Sequence, residues 1–213
     1  MVLFIGQLFY LILLRWIDPP VTSTQAMSWF QGNGMTRDYV AMDLISANAK
    51  LAVIASEDQL FPYHNGFDWQ SIQKAMEKNK KSRRVRGAST LTQQVAKNVF
   101  LWQGRSWFRK GLEVYFTFMI ETLWGKHRIL EVYLNVSEMG RGVFGIEAAA
   151  RKYFKKPASM LTANEAAMIA SSLPNPKKYT VKPLSNYVTK RYPQIVVQMN
   201  NIRPDEGIVG LIQ

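Results

Sequence analysis

Two adjacent carboxylates, Glu57 and Asp58, directly follow the apolar segment LAVIAS in a strongly basic chain. A carboxylate that loses its hydration without gaining a partner is costly, so this pair is either exposed or used for function. The stretch EDQLFPYHNGFD then interrupts the regular pattern with Pro62, His64 and Gly66. These residue types and their position make the stretch a candidate for acid–base chemistry by a carboxylate.

A second polar segment, RGASTLTQQVAKN, begins with Gly87 and Ser89, which suit a loop that runs into a helix. On this helix Leu91, Val95 and Val99 mark one face, and a second face carries hydroxyl, amide and ammonium groups. The second face consists of Thr90, Gln94, Lys97 and Asn98. A polar face is usually the solvated side of a helix, but amides and hydroxyls are also what a ligand cleft uses. The spacing alone leaves both interpretations open.

Basic residues surround this segment. Residues 74–87 hold seven basic side chains and one acid, and the segment GRSWFRKGLE adds Arg105, Arg109, Lys110 and then Glu113. Basic runs are most often solvated, but guanidinium and ammonium groups beside a polar cleft would suit a phosphate-bearing ligand. Because Glu113 lies four residues after Arg109 and three after Lys110, an intrahelical ion pair is the simplest interpretation of this acid.

The composition fits one folded, mainly helical domain. A chain of 213 residues with 47% hydrophobic and 20% charged side chains can bury one sizeable core. Lys and Arg outnumber Asp and Glu by 27 to 15, a net charge of +12, which predicts an anionic partner: phosphate, acidic lipid or nucleic acid. The absence of cysteine excludes disulfides, thiolate metal sites and cysteine nucleophiles. Helical patterns dominate from about 46 to 175, and no convincing strand pattern or repeat interrupts them.

The first residues, MVLFIGQLFYLILL, carry no charge before Arg15, and Arg15-Trp16 is the basic and aromatic pairing typical of a membrane interface. As a helix, residues 1–17 would measure about 25 Å at ~1.5 Å per residue, a little short of the ~30 Å hydrocarbon core. We expect an uncleaved anchor, whose shortness would be explained if its first residues are missing here. A cleaved signal peptide is the alternative, although no basic segment precedes the run and RWIDPP lacks a cleavage pattern.

Five segments occur in an order that resembles the motifs of the family 51 glycosyltransferases, the peptidoglycan glycosyltransferases. They are EDQLFPYHNGFD, GASTLTQQ, RKGLE, KHRILEVYLN and GVFGIEAAARKYF. The resemblance covers about residues 46–180 and is strongest to the monofunctional members, which have one short anchor and no transpeptidase domain. It implies a mainly α, lysozyme-like domain with a large head lobe and a small membrane-proximal jaw. We therefore expect a transmembrane anchor over 1–17, a juxtamembrane connector over 18–45, the glycosyltransferase domain over 46–185 and a C-terminal helix or tail over 186–213.

The resemblance also implies the reaction and its setting. Such an enzyme polymerises lipid II into a linear β-1,4 glycan, with inversion at the anomeric carbon and undecaprenyl pyrophosphate as the leaving group. We expect a single-pass protein of the bacterial inner membrane whose catalytic domain faces the periplasm. Its partners would be lipid II, the growing glycan chain, the membrane and proteins of cell-wall synthesis or division, but not nucleic acid.

By similarity, Glu57 is the general base that takes the proton of the acceptor's 4-hydroxyl, and Glu113 supports it from across the cleft. At the end of a helix, the helix dipole and desolvation would both raise the pKa of Glu57 and make it a stronger base. Lys97 and Arg105 would contact the donor's pyrophosphate, where preplaced cations stabilise developing charge. The other positions assigned to substrate binding or site organisation are Asp58, Phe61, His64, Asp68, Lys74, Ser89, Thr90, Gln93, Gln94, Asn98, Arg109 and Lys110.

Three points stay open at the level of sequence. Lys74 stands where some relatives carry an arginine, which keeps the charge but loses bidentate geometry. A divalent cation, Mg²⁺ or Mn²⁺, assists some members of the family, and this sequence has no diagnostic site for one, since His64 and His127 lack an obvious ligand partner. Two other functions are alternatives. A lytic transglycosylase or hydrolase would share the fold and the catalytic glutamate but needs no pyrophosphate site. A non-enzymatic, membrane-anchored binder of anionic lipid or nucleic acid would explain the charge but not the five motifs.

Overall fold

The protein is mainly helical, as the sequence predicts. A computed structural model describes residues 2–80, 89–104 and 106–213, and Arg105 and Gly87 of the predicted site region lie outside these residues. The helices are α1 (Val2–Leu13), α2 (Ser23–Phe30), α3 (Ala47–Glu57), α4 (Trp69–Lys80), α5 (Leu91–Phe100), α6 (Trp107–Leu123), α7 (Lys126–Val136), α8 (Ile146–Phe154), α9 (Ala163–Ser172), α10 (Asn186–Ile202) and α11 (Glu206–Ile212). Short 3-10 turns occur at Met42–Leu44 and Ala158–Met160.

Helix α3 runs through the centre of the domain. Ser46 caps its first turn by accepting a hydrogen bond from the Ala49 N–H, and every residue from 49 to 55 is buried. A helix that is apolar on all sides must be surrounded, and α3 packs against α7, α9, α10 and α11. The helix ends at Glu57, so the central element of the core delivers this carboxylate to the surface of the cleft.

Helix α5 begins at a complete capping box. The Thr90 side chain accepts from the Gln93 N–H, and the Gln93 side chain accepts from the Thr90 N–H. This reciprocal pair satisfies two backbone donors that a helix start leaves open. Leu91 and Val95 are fully buried, and α5 packs against α6, α7 and α2, which confirms the apolar face predicted from the sequence.

A small sheet joins the N-terminal segment to the domain. Its strands are β1 (Thr36–Arg37), β2 (Glu138–Gly140) and β3 (Val143–Phe144), in the order β1-β3-β2. Strand β1 pairs with β3 in parallel and β2 pairs with β3 antiparallel. Strands of two or three residues are too short to show an alternating pattern, so they could not be predicted from periodicity.

Residues 18–45, predicted as a connector, contain helix α2 and strand β1. A capping box between Thr22 and Gln25 starts α2, and Gln25 is buried. Further along, the Asn135 side chain donates to the Val40 carbonyl and accepts from the Val40 N–H, both at 2.9 Å. This segment is therefore packed onto the domain over much of its length.

Helix α1 lies against α6 and α7. Leu11 and Leu14 are buried, and the Trp124 indole donates to the Leu11 carbonyl at 2.9 Å. The Arg128 guanidinium donates to the carbonyls of Leu14 and Ile17 at 3.1 and 2.9 Å. Across residues 2–80, 89–104 and 106–213, no helix combines the length and the apolar character that a membrane crossing requires, so the predicted transmembrane helix is not confirmed.

The last two helices close the domain around α3. Helix α10 packs against α3 and α9, and α11 packs against α3. The Lys50 ammonium, buried on α3, donates to the Ile212 carbonyl at 3.2 Å, and the Tyr63 hydroxyl donates to Asp205. The C-terminal residues thus contact both the central helix and the loop that follows it.

Candidate active site

Glu57 stands at the mouth of a cleft and is held by one amide. The Gln94 Nε2 donates to Glu57 Oε2 at 2.9 Å. Burial raises the pKa of Glu57, and the hydrogen bond from Gln94 and the positive charges of Lys97 and Arg191 reduce that rise. The carboxylate is therefore a stronger base than an exposed glutamate while a donor keeps its charged form in place.

Asp58 organises the turn after α3. Its Oδ2 accepts from the Leu91 N–H at 2.9 Å, so this buried carboxylate caps the first turn of α5. Both of its oxygens lie about 3 Å from His64 Nε2. One side chain thus fixes the end of α3, the start of α5 and the ring of His64 relative to one another.

The loop over residues 58–68 is tied down along its length. The Gly66 N–H donates to His64 Nδ1 at 3.1 Å, which leaves Nε2 to carry the hydrogen that Asp58 accepts. The Thr90 hydroxyl donates to the Gly66 carbonyl at 2.7 Å. Gly66 adopts φ 86°, and a Cβ there would lie 2.7 Å from the Thr117 side chain, so only glycine fits.

A partly buried lysine supports the same loop from α7. The Lys126 ammonium donates to the His64 carbonyl and pairs with Glu121 at 2.8 Å. It also lies 4.6 Å from the centre of the Phe61 ring. Glu121 in turn accepts from the Thr92 hydroxyl on α5. These contacts join α6, α7 and α5 around the turn that follows Glu57.

The cationic side of the site is built on α5 and α6. Arg109 pairs with Glu113 at 3.2 Å and Lys110 pairs with the same carboxylate, as the spacing predicts. Burial lowers the pKa of Lys97, and the negative charges of Glu113 and Glu57 oppose that effect. Lys97 therefore lies within electrostatic reach of both carboxylates. Among the described residues, the Lys97 ammonium has no ion-pair partner and the buried Arg109 Nε–H has no acceptor.

A cleft of roughly 660 Å³ opens beside Glu57. Its lining includes Glu57 and Asp58 at the end of α3, Asp68 just before α4, Lys74 and Lys78 on α4, Ser89 and Thr90 before α5, and Gln198 on α10. Glu57 thus lines a polar cleft with two lysines, and the charge of Lys97 on α5 acts on it as well.

The structure brings together most of the residues predicted for the site. Glu57, Asp58, Asp68, Lys74, Ser89 and Thr90 line the cleft. Gln94 donates to Glu57, the charge of Lys97 acts on Glu57, and Arg109, Lys110 and Glu113 form an ion-pair cluster whose charges act on Lys97. Arg105 lies outside the described residues.

Three other predicted residues make internal contacts instead. Phe61 is fully buried, Gln93 serves the capping box, and Asn98 contacts Ser23 and Thr24 of α2. A helical face drawn from spacing groups residues by angle, but the neighbouring helix α2 covers the part of that face where Asn98 lies. Substrate contact by these three residues stays a prediction.

Helix α10 contributes residues that the sequence analysis did not assign. The positive charge of Arg191 acts on Glu57, and Gln198 lines the cleft. Arg191 donates to Gln194 and Gln198 at 3.1 and 3.4 Å, which makes a polar stripe at helical spacing. That stripe of one arginine and two amides was the available signal in a segment that matched no motif.

The side chains described for this site do not provide the ligands that a protein-bound divalent cation needs. Such cations prefer several carboxylate or carbonyl oxygens. Within residues 2–80, 89–104 and 106–213, no three acidic or histidine side chains come together in a way that could hold a metal ion. The side chains next to Glu113 are the cations Arg109 and Lys110.

Comparison with known proteins agrees with this arrangement. A sequence model of the family described as transglycosylase matches residues 23–200, and the chain belongs to that family. Several similar proteins are named biosynthetic peptidoglycan transglycosylase. One from Mannheimia succiniciproducens is 57% identical over 165 residues, which are 78% of this chain and 68% of that protein. One from Pseudomonas syringae pv. syringae is 48% identical over 212 residues, 97% of this chain and 90% of that protein. One from Escherichia coli is 55% identical over 179 residues, 82% of this chain and 74% of that protein.

The raised pKa of Glu57 predicts that its charge destabilises the fold. A carboxyl whose pKa is higher in the folded chain favours folding below its ordinary pKa, and this contribution is lost as pH rises through the folded pKa. Glu57→Gln should therefore unfold at a higher temperature than the parent at pH 8, by roughly 2–4 °C for each kcal/mol of penalty removed. The difference should shrink as the pH falls towards 4.5, and thermal melts across pH measure it.

Glu77→Gln is the matched control, because Glu77 is an exposed glutamate on α4. This variant should melt at the parent's temperature at every pH. A Glu57→Gln variant that is no more stable than the parent at pH 8 would contradict the argument that burial penalises the charge.

Proposed function

We propose that this chain polymerises lipid II into linear β-1,4 glycan strands of peptidoglycan, with undecaprenyl pyrophosphate as the leaving group. One observation carries the proposal: Glu57, whose pKa is raised by desolvation, lines a polar cleft that holds two lysines, and the positive charge of Lys97 acts on the same carboxylate. A glycosyl transfer that releases a diphosphate needs a base on the acceptor side and positive charge on the leaving-group side. The names of the relatives point to the same chemistry.

Glu57 acts as the general base. Its Oε2 is occupied by Gln94, and among the described residues its Oε1 has no hydrogen-bond partner, so Oε1 is the oxygen available to a substrate. In the proposed step, Oε1 takes the proton of the acceptor's 4-hydroxyl while that oxygen attacks the anomeric carbon of the donor. The bond from that carbon to the pyrophosphate breaks with its electron pair on the leaving oxygen. A single displacement of this kind inverts the anomeric configuration.

The cations of α5 and α6 stabilise the leaving group. Lys97 has no ion-pair partner among the described residues, so its ammonium can bind phosphate oxygens without breaking an existing ion pair. Glu113 holds the Arg109 and Lys110 side chains in place rather than taking part in chemistry. Arg105 is the further candidate from the sequence. Fixed donors of this kind act most strongly where charge develops in the transition state.

The acceptor occupies the cleft beside α4. Lys74 and Lys78 line this cleft, and their ammonium groups suit the phosphates of an acceptor molecule. Ser89 and Gln198 provide a hydroxyl and an amide group of the type that bind sugars. The growing glycan chain would then lie on the cationic side of Glu57 as the donor. A hydrolase or lytic enzyme would use the same glutamate, but it would have no need for cations on both sides.

We further propose that the protein is attached to the bacterial inner membrane in a single pass, with its catalytic domain on the periplasmic side. Helix α1 measures roughly 18 Å at ~1.5 Å per residue and would form part of that pass through a ~30 Å hydrocarbon core. Ile5 and Phe9 of α1 are 57% and 61% exposed, and Trp107 of α6 is 93% exposed. Such exposed apolar side chains are typical of a membrane-contacting surface.

Four further expectations from the sequence stay predictions. They are the division into a head lobe and a jaw, the domain bounds at 46, 185 and 186, contacts with other proteins of cell-wall synthesis or division, and the expectation that the chain does not bind nucleic acid.

Glu57→Gln tests the base directly. Glutamine keeps the size of the side chain but cannot take a proton, so glycan synthesis from lipid II should fall by at least ~100-fold, the usual contribution of a positioned base. Binding of lipid II should be retained, because the substitution changes no cation. Polymer formation from labelled lipid II by the purified variant is the measurement, with Glu77→Gln as the control. Substantial polymer from Glu57→Gln would refute the proposed role.

Lys97→Ala tests the leaving-group side. Turnover should fall by about 100-fold or more, while the affinity for lipid II changes much less, because the leaving oxygen gains its charge only in the transition state. Lys152→Ala, on the exposed face of α8, is the matched control and should keep the parent's rate. Steady-state rates together with a thermal melt decide the point. A Lys97→Ala variant that is folded and fully active would show that Lys97 does not stabilise the leaving group.

The membrane proposal is tested on α1 without disturbing its packing. Ile5→Asp combined with Phe9→Asp places charges on the exposed face of the helix and should reduce binding to anionic lipid vesicles by about tenfold or more. The thermal unfolding midpoint should not change, because neither side chain is buried in the domain. Met160→Asp combined with Val197→Asp, two exposed apolar residues outside α1, is the control. Equal vesicle binding by both double variants would show that α1 is not the membrane-binding element.

A further inference from the structure

Tyr133 is a buried residue of α7 whose hydroxyl lies next to the candidate base but does not contact it. The side chain is only 1% exposed, and its Oη lies 3.1 Å from Gln94 Oε1. Burial, together with the negative charge of Glu57, holds the pKa of Tyr133 well above its ordinary value, so the hydroxyl keeps its hydrogen. A buried tyrosine hydroxyl normally needs a partner, and here the partner is the amide that binds Glu57.

The two ends of the Gln94 amide are assigned by their neighbours. A carboxylate only accepts hydrogen bonds, so the end of the amide that faces Glu57 Oε2 at 2.9 Å must be the NH₂ group. The amide oxygen then faces Tyr133, whose hydroxyl must be the donor. If the amide were reversed, its oxygen would face the Glu57 carboxylate and repel it. The hydrogen bonds to Glu57 and from Tyr133 are therefore both satisfied by only one orientation of the Gln94 amide.

We propose that Tyr133 is a positioning residue for the transfer reaction: by donating to the Gln94 oxygen, it keeps the Gln94 NH₂ group on Glu57 Oε2 and leaves Oε1 for the acceptor hydroxyl. This inference rests on the proposed role of Glu57 as the base. When Oε1 takes the proton, Oε2 becomes the carbonyl oxygen of the acid and can still accept from the same NH₂ group. The hydrogen bond therefore persists through the proton transfer, and the amide need not move during the step.

Without the Tyr133 hydroxyl, the side-chain amide of Gln94 could rotate by about 180° and exchange the positions of its oxygen and its NH₂ group. Its oxygen would then accept a hydrogen bond from protonated Glu57, which stabilises the acid rather than the base. Tyr133 thus prevents Gln94 from assisting the wrong protonation state. A tyrosine that merely fills the core of α7, between the buried residues Val132 and Leu134, would have no such effect.

The test is Tyr133→Phe in the full-length protein. Phenylalanine keeps the ring and adds no atoms, so the packing of α7 is retained. We expect kcat for glycan synthesis from lipid II to fall by about tenfold, with little change in KM, because the base loses its fixed orientation. The acid limb of the kcat/KM profile should move to higher pH, because a loosened amide stabilises the charged form of Glu57 less well.

Tyr153→Phe is the matched control. Tyr153 is also buried, and its hydroxyl donates to the Met139 carbonyl at 3.1 Å, away from Glu57 and Gln94. This variant loses the same atom from a buried tyrosine, so its thermal stability should fall by a similar amount. Its kcat and its pH profile should match those of the parent. If Tyr133→Phe also keeps the parent's kcat and acid limb, Tyr133 is a core residue and the inference is wrong.

A double variant tests whether Tyr133 acts through Gln94. In a Gln94→Met background no amide is left to orient, so adding Tyr133→Phe should lower kcat no further. If the losses in kcat from the two substitutions multiply in the double variant, Tyr133 acts independently of Gln94 and the inference is wrong.

The same assay separates this inference from the proposed function. An active Glu57→Gln variant defeats the role of Glu57, whereas an inactive Glu57→Gln variant with a fully active Tyr133→Phe variant defeats only the role of Tyr133.

Discussion

The position of one partly buried carboxylate at the end of a helix whose residues 49–55 are all buried is the constraint around which the domain is arranged. Helix α3 can bury this segment only because four other helices pack against it, and its last residue is Glu57. A charged group in that position costs free energy unless donors and positive charges lie nearby. Gln94 and Lys97 provide them from α5, and Arg191 provides further positive charge from α10. The packing that stabilises the core thus also places the carboxylate in a low-dielectric environment, where its basicity increases.

The loop after Glu57 is rigid because its hydrogen bonds come from different helices. Asp58 binds the start of α5, Thr90 binds the Gly66 carbonyl and Lys126 binds the His64 carbonyl from α7. A site built on irregular backbone is usually less well defined than one on helices. Here the carbonyl groups of Gly66 and His64 are held by side chains at the start of α5 and on α7. These contacts therefore hold the turn in a fixed position next to Glu57.

The sequence predicted the helical class, the apolar face of α5, the ion pairs of Glu113 and the position of Glu57, because each follows from local spacing or from a specific motif. It could not predict which polar residues face the cleft. Asn98 lies on the expected helical face, but α2 covers it, and that contact depends on residues 74 positions away in the chain. The contribution of α10 was missed for the same reason. Arg191 reaches Glu57 only because α10 packs on α3, and no short segment records that packing.

The contacts that hold the first helix have a consequence for how its sequence can change. Trp124 and Arg128 bind the carbonyl oxygens of Leu11, Leu14 and Ile17, which are main-chain atoms present in every residue type. These three contacts therefore depend on the shape of the helix end and not on its side chains, unlike the hydrogen bond that the Gln7 amide donates to the Tyr115 hydroxyl at 3.3 Å. Substitutions at exposed positions of α1, such as Ile5 and Phe9, would leave the main-chain contacts intact. The exposed face of this helix could thus change in chemical character without a compensating change in Trp124 or Arg128.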